Sequence, residues 1–195
     1  MMSLKSVCVY CASSSKVDMK FFDAAQRLGK ELARHQVKCV YGAGNQGLMG
    51  ELADAVLSHG GEVLGIIPQF MYDEGWNHTG LTELYIVESM HIRKQMMVEY
   101  VDAAIALPGG CGTLEELLEI ITWKQLGLFS KPIVILNTDG YYDHLIAMLD
   151  RAVEENFMHE KHSLIWTIVN TPEEVVEAIR AAETWINNPR SIAAL

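Results

Sequence analysis

The chain has 195 residues, which suits one domain, and half of them are apolar, enough for a sizeable core. Its net charge of −10 and isoelectric point near 5.1 argue against non-specific binding to nucleic acid or to an anionic membrane, both of which need a basic surface. A small anionic ligand remains open, because a few backbone amides and one arginine can build a local positive site.

Residues 7–12 form a short apolar run after Lys5. It is too short for a signal-peptide core or for the roughly 18 residues of a membrane span. It reads as a first strand, and a cytoplasmic protein is expected. Apolar spacing over residues 21–33, through Phe22, Ala25, Leu28 and Leu32, predicts a helix. Residues 37–41 read as a second strand, 48–57 as a helix and 63–67 as a third strand. The polar, Gly- and Asn-containing stretch 69–83 reads as a loop, followed by a short strand at 84–87. Then come a helix at 90–101, a strand at 103–107, a helix at 114–126 and a strand at 133–136. A helix at 142–155, a strand at 164–169 and a helix at 172–185 close the chain, the last with Thr171 as N-cap and Pro172 in its first turn. Alternating strands and helices, with unbroken apolar strands, predict a single α/β domain over residues 1–195. It would be a Rossmann-like, doubly wound parallel sheet in three layers. Ligands of such sheets bind beyond the carboxyl ends of the strands, so the loops after Ala12, Tyr41 and Leu107 are the places to look.

Cys8 and Cys11 form a CxxC, with Cys39 and Cys111 elsewhere. On a strand, the odd spacing sends the first two thiols to opposite faces. No second CxxC or histidine cluster completes a zinc site, so buried, reduced thiols are expected.

Pro108-Gly109-Gly110-Cys111-Gly112-Thr113 runs from a strand into a helix. Three glycines in four residues remove the Cβ atoms that would keep a ligand at a distance. The helix start adds free N–H groups and the positive end of the dipole, and Thr113 a hydroxyl, which together suit a phosphate. Along the helix, Leu114, Leu117, Leu118 and Ile121 form a stripe expected to face the sheet. Glu116, Glu119, Ile120 and Trp123 fall opposite. Glu116 would therefore point away from the core, one turn from the phosphate. Ile120 and Trp123 would make a covered outer face, and a homodimer contact along helix 114–126 is expected from them.

On the preceding helix, Met90, Arg93, Lys94, Met97 and Val101 share a face. Two cations in an apolar stripe either reach water with their heads or meet an anion, and Glu116 and a ligand phosphate are both candidates. Gly42-Ala43-Gly44-Asn45-Gln46-Gly47 matches G-x-G-x-x-G, but it follows the second strand and Ile66-Ile67-Pro68 stand where a ribose-binding acid belongs. It reads as a wall of the same nucleotide site, with a tight turn as the plainer alternative. An NAD(P)-dependent oxidoreductase is disfavoured for the same reason.

Taken together these residues resemble the Lonely Guy family, the cytokinin riboside 5′-monophosphate phosphoribohydrolases. The resemblance is carried by Cys11-Ala12-Ser13-Ser14, by Tyr41 to Gly44 with Gly47 to Gly50, and by Met90-His91-Ile92-Arg93-Lys94. Pro108 to Glu116, Thr122 to Gly127, Lys131-Pro132 and Asn137 to Tyr142 complete it. It implies a homodimeric Rossmann-like hydrolase that needs no metal or organic cofactor and releases a free base and ribose 5-phosphate from a nucleoside monophosphate. It implies that Gly109, Gly110, Cys111, Gly112 and Thr113 cradle the phosphate and that Arg93 and Glu116 are the catalytic pair. It further implies that Lys94, Thr122 and Glu74, with Ser14, Gly44 and Met90, complete the substrate pocket. Members of the family have carried a lysine-decarboxylase label, for which the sequence offers no recognisable pyridoxal phosphate site. Two departures stand out. Ile92 occupies a position often held by Glu or Gln, and the loop Gly75-Trp76-Asn77-His78 is a residue longer than usual. A non-catalytic carrier, such as the related molybdenum-cofactor carriers, would use the same phosphate loop without cleaving anything.

Overall fold

The structure, a computed structural model, describes residues 4–183, Trp185 and Ser191. Seven short strands make the sheet, the inner ones apolar and largely buried, the two edge strands partly exposed. They are β1 (Ser6–Tyr10), β2 (Lys38–Tyr41), β3 (Val63–Pro68), β4 (Glu83–Val87), β5 (Ala103–Ala106), β6 (Ile133–Leu136) and β7 (Thr167–Val169). They pair entirely in parallel in the order β4-β3-β2-β1-β5-β6-β7. The chain therefore winds outward from β1 in one direction and, after β4, outward from β5 in the other. The switch point lies between β1 and β5, where Val7 to Tyr10 run beside Ala103 to Ala106.

Helices cover both faces. α1 (Met19–Arg34), α2 (Gly47–Ser58) and α7 (Val175–Ala181) contribute to one core. α4 (Met90–Glu99), α5 (Cys111–Gln125) and α6 (Asp143–Glu154) contribute to the other. A short helix, α3 (Gln69–Asp73), completes the set. The odd spacing of the CxxC has its expected result: Cys11 belongs to the first core and Cys8 to the second. Local chemistry sets the ends. The Asp18 carboxylate accepts from the Lys20 amide to start α1, and Ser89 Oγ accepts from the Ile92 amide to start α4. Thr171 and Glu174 close a capping box around Pro172, as the sequence suggests, but the turn they open is 3₁₀ over Pro172–Glu174 before α7 begins.

Several expectations need correction. The stretch 69–83 is not all loop, since α3 forms directly after Pro68, whose fixed φ suits a helix entry. The last strand starts at Thr167, because Glu160–Leu164 is a 3₁₀ turn. The last helix ends at Ala181, and residue 184 of the expected span lies outside the described residues. Cys111 is exposed, unlike the other three cysteines. α5 begins at Cys111 rather than at 114, so half of the glycine turn is helix. Its buried arc is also rotated: Thr113, Leu117, Ile120, Ile121 and Lys124 face inward, and Leu118 is 39% exposed. Ile120, expected on an outer face, is covered by the chain's own core. Periodicity keyed to leucines misplaced the arc because a threonine and a lysine occupy inward positions. Lys124 manages this by donating from Nζ to the Ile165 carbonyl at 2.9 Å, and burial pushes its amine down to about 8.

Candidate active site

A cavity of about 630 Å³ opens at the carboxyl ends of β1, β2 and β5, beside the switch point. Its size is that of a small-molecule site. Three loops wall it, those after β1, β2 and β5, as the fold class predicts.

The turn after β5 forms the first wall. Gly110, Cys111, Gly112 and Thr113 line the cavity, while Gly109 is buried beneath them. A Cβ built on Gly109 would stand 2.1 Å from Thr113 Oγ1, so this glycine is needed by the packing. Gly110 and Gly112 are different: a Cβ on either would meet nothing within 4 Å, and neither has a positive φ. Neither conformation nor packing demands glycine there, and the space kept clear belongs to the cavity. Gly110 is the N-cap of α5 and makes no side-chain cap. The Leu114 amide is bonded to the Gly110 carbonyl at 3.0 Å, which leaves the amides before it as the free donors of the helix start.

The carbonyls of this turn are turned away and held. Tyr142 Oη donates to the Leu107 carbonyl at 2.6 Å, the Ala12 amide to the Pro108 carbonyl at 3.2 Å, and Tyr141 Oη to the Gly109 carbonyl at 2.7 Å. Three successive acceptors are thus occupied by protein, and the turn offers its amide side to a ligand. The sequence reading missed these tyrosines, although both stand in the Asn137 to Tyr142 segment that carried the family resemblance.

Glu116 lies one turn into α5 and lines the same cavity. Its side chain is only 11% exposed, and burial pushes its carboxyl above the ordinary value, partly opposed by the nearby Arg93 charge. Arg93 Nη1 donates to Glu116 Oε1 at 3.2 Å, and Arg93 Nε donates to the Ile66 carbonyl at 3.1 Å. The guanidinium is therefore fixed at two points, with its 7% exposure turned to the cavity. Gly42 makes room for it: a Cβ there would sit 1.6 Å from Arg93 Nη2.

The turn after β2 supplies Gly42, Gly44, Asn45 and Gln46 to the lining, and the turn after β1 supplies Ser13 and Ser14. Ala43 adopts a positive φ of 61°, and Gly47, at 62°, packs against the Ser13 backbone. Met90 at the head of α4 also faces in. Lys94, Thr122 and Glu74 are not brought to the cavity wall of this chain. Lys94 instead pairs with Glu115 and with Glu119. Thr122 is exposed and donates within α5 to the Leu118 carbonyl, and Glu74 is exposed at the end of α3. Met49, Met71 and Trp76 line the cavity as well. Sequence reasoning gave them no role, since nothing in their spacing marks them as ligand contacts. Among the described residues, no group of three or more His, Cys, Asp or Glu side chains is placed to hold a metal ion. No helix of these residues is long and apolar enough to cross a membrane.

An open apolar cavity, an amide-lined turn and a buried acid clamped by an arginine suit an anionic ligand carrying a reactive centre near its charge. Comparison with known proteins agrees in kind. A sequence family described as "Possible lysine decarboxylase" matches residues 49–179. The chain is 48% identical over 158 residues to the "Probable cytokinin riboside 5'-monophosphate phosphoribohydrolase LOGL9" of Oryza sativa subsp. japonica, covering 81% of this chain and 70% of that protein. It is 41% identical over 189 residues to the "Cytokinin riboside 5'-monophosphate phosphoribohydrolase LOG1" of Arabidopsis thaliana, covering 97% and 87%. Among solved structures, the molybdenum cofactor binding protein of Rippkaea orientalis superposes with a TM-score of 0.69 at 21% identity, over 93% of this chain and 98% of that one. At that identity the likeness extends to the fold alone.

Proposed function

The chain belongs to the Lonely Guy family of cytokinin riboside 5′-monophosphate phosphoribohydrolases, and from that premise we propose that it hydrolyses the N-glycosidic bond of a purine-type nucleoside 5′-monophosphate. The observation that carries this reading is the pair Gly110 and Gly112, bare without any need of the fold, on a cavity wall shared with Glu116 and Arg93. The phosphate docks on the amides of residues 110–113, with Thr113, Ser14 and Gly44 around it. Remote binding energy at that end aligns the ribose beside Glu116.

Cleavage proceeds through an oxocarbenium-like ribose. The bond from the anomeric carbon to the base nitrogen breaks with its electron pair leaving on the base. A water oxygen then bonds to that carbon, giving ribose 5-phosphate, and its proton compensates the charge on the base. Glu116 as carboxylate stabilises the cationic sugar and orients the water, and Arg93 holds Glu116 in place. The Glu116→Gln variant is expected to lose nearly all turnover of AMP while still binding it by calorimetry. Adenosine, lacking the phosphate, is expected to be a very poor substrate. Release of free base from AMP, followed by chromatography, separates a hydrolase from a carrier of the same fold, which would release none.

We further read the active form as a homodimer. The apolar face left open is not the one around Ile120. It is the stripe of Leu118 on α5 and Leu126 at its C-cap, with Leu128 just beyond, 39%, 41% and 64% exposed. Leu118, Thr122 and Leu126 stand four residues apart, so Thr122 sits within that stripe. The free cysteines suit a reducing, cytoplasmic setting.

A further inference from the structure

The cavity is chemically graded. The glycine turn offers amides, Glu116 and Arg93 offer charge, and a further stretch of lining is apolar, made by Met49, Met71, Trp76 and Met90. Gly42 and Gly44 show how the charged and apolar stretches join. The Cβ position of Gly42 lies 1.6 Å from Arg93 Nη2 and 3.0 Å from the Met49 methyl, and that of Gly44 lies 2.8 Å from the Met49 sulfur. Gly44 in turn makes an antiparallel bridge with Asn77. The lining thus runs from the arginine through Met49 to the Trp76 loop.

That loop is braced on the turn after β2. The Asn45 amide donates to the Trp76 carbonyl at 3.1 Å and the His78 amide to the Ala43 carbonyl at 2.8 Å. The Trp76 amide donates to the Met71 carbonyl at 3.2 Å, and His78 Nε2 meets Asp54 Oδ1 at 3.0 Å. Gly75, with φ at 72°, makes the turn that presents the indole. A tryptophan whose backbone is held this firmly and which is still 50% exposed offers a flat apolar surface at a cavity rim. A nucleotide seated by its phosphate carries a flat heterocycle one sugar away. Resting on the hydrolase reading above, we propose that Trp76 is a specificity-determining residue: its indole stacks on the base. The unbranched methionines beside it adapt to substituents on the ring edge. A purine, with two fused rings, gains more from this surface than a pyrimidine does.

The test compares wild type, Trp76→Ala and Trp76→Phe with AMP, with CMP, and with ribose 5-phosphate as a base-free inhibitor. Trp76→Ala is expected to lose about tenfold or more in kcat/KM for AMP, the scale of a lost base-on-aromatic stack. Its loss for CMP should be smaller, so the purine preference shrinks. Trp76→Phe should recover most of the loss, and inhibition by ribose 5-phosphate should stay within about twofold in all three, since that ligand has nothing to stack. Equal losses for AMP and CMP together with weakened ribose 5-phosphate inhibition would show that Trp76 only props the loop, and would overturn the proposal, as would unchanged AMP kinetics in Trp76→Ala. If wild type releases no base from either nucleotide, the hydrolase reading fails by itself. The stacking claim is then decided by fluorescence: quenching on AMP that Trp76→Phe abolishes supports it, and quenching that survives refutes it.

Discussion

Glu116 is a carboxyl group whose burial works against its ionisation, and the Arg93 charge partly opposes that effect. With the ionised form doing the chemistry, activity is lost as pH falls through the raised pKa of Glu116. Neutralising Arg93 as Arg93→Gln removes the larger of the two charges, Arg93 and Lys94, that lower the pKa. The acid limb of kcat/KM in that weakened enzyme should therefore move to higher pH, and a limb that stays or moves down would reverse the roles given to the pair. Gly42 bears on the same pair. A methyl there displaces the end of a flexible arginine rather than backbone. Gly42→Ala should consequently keep the fold but lower the melting temperature measurably, because the buried Arg93–Glu116 pair is disturbed, and lose about tenfold or more in kcat/KM as Arg93 leaves its seat. The meeting of Arg93 with Glu116 was legible in the sequence as one of two anions for a cation in an apolar stripe. The requirement for Gly42 was not, because a glycine forced by a side chain 51 positions away leaves no local mark.

Among the elements, α5 shows both what a pattern gives and what it hides. Its existence and the glycine turn before it were readable from apolar spacing and from Pro108 to Gly112. Its first turn was not, since Cys111, Gly112 and Thr113 lack the apolar signal that the period follows. Nor was the rotation that buries Ile120 and exposes Leu118, which follows from inward places given to Thr113 and Lys124. The segment before α6 matters through two hydroxyls. Tyr141→Phe frees the Gly109 carbonyl in a partly exposed place. It should raise KM for AMP and weaken ribose 5-phosphate inhibition, with thermal stability close to wild type. Tyr142 is 1% exposed and holds the Leu107 carbonyl. Tyr142→Phe should cost about 1–3 kcal/mol in denaturant unfolding, the penalty of a buried acceptor left unpaired.

At the scale of the molecule, the parallel sheet and its switch point followed from strand and helix alternation, and the loops after β1, β2 and β5 wall one cavity. The arrangement of the apolar surface did not follow, because which residues stay open depends on helix rotation. Leu118→Glu or Leu128→Glu should turn the proposed dimer into a monomer in sedimentation at micromolar concentration, with the fold kept by circular dichroism. A wild type that sediments as a monomer would remove the dimer from the picture.

The tethering of the Leu107, Pro108 and Gly109 carbonyls has one more result. A seat made of main-chain dipoles gains and loses no protons of its own, whereas one made of lysines or histidines would. Its grip on a monoester should therefore track only the second ionisation of the ester itself. It should also tolerate added salt better than a cluster of exposed cations would, and the pH dependence of binding at this seat would come from the ligand and not from the seat.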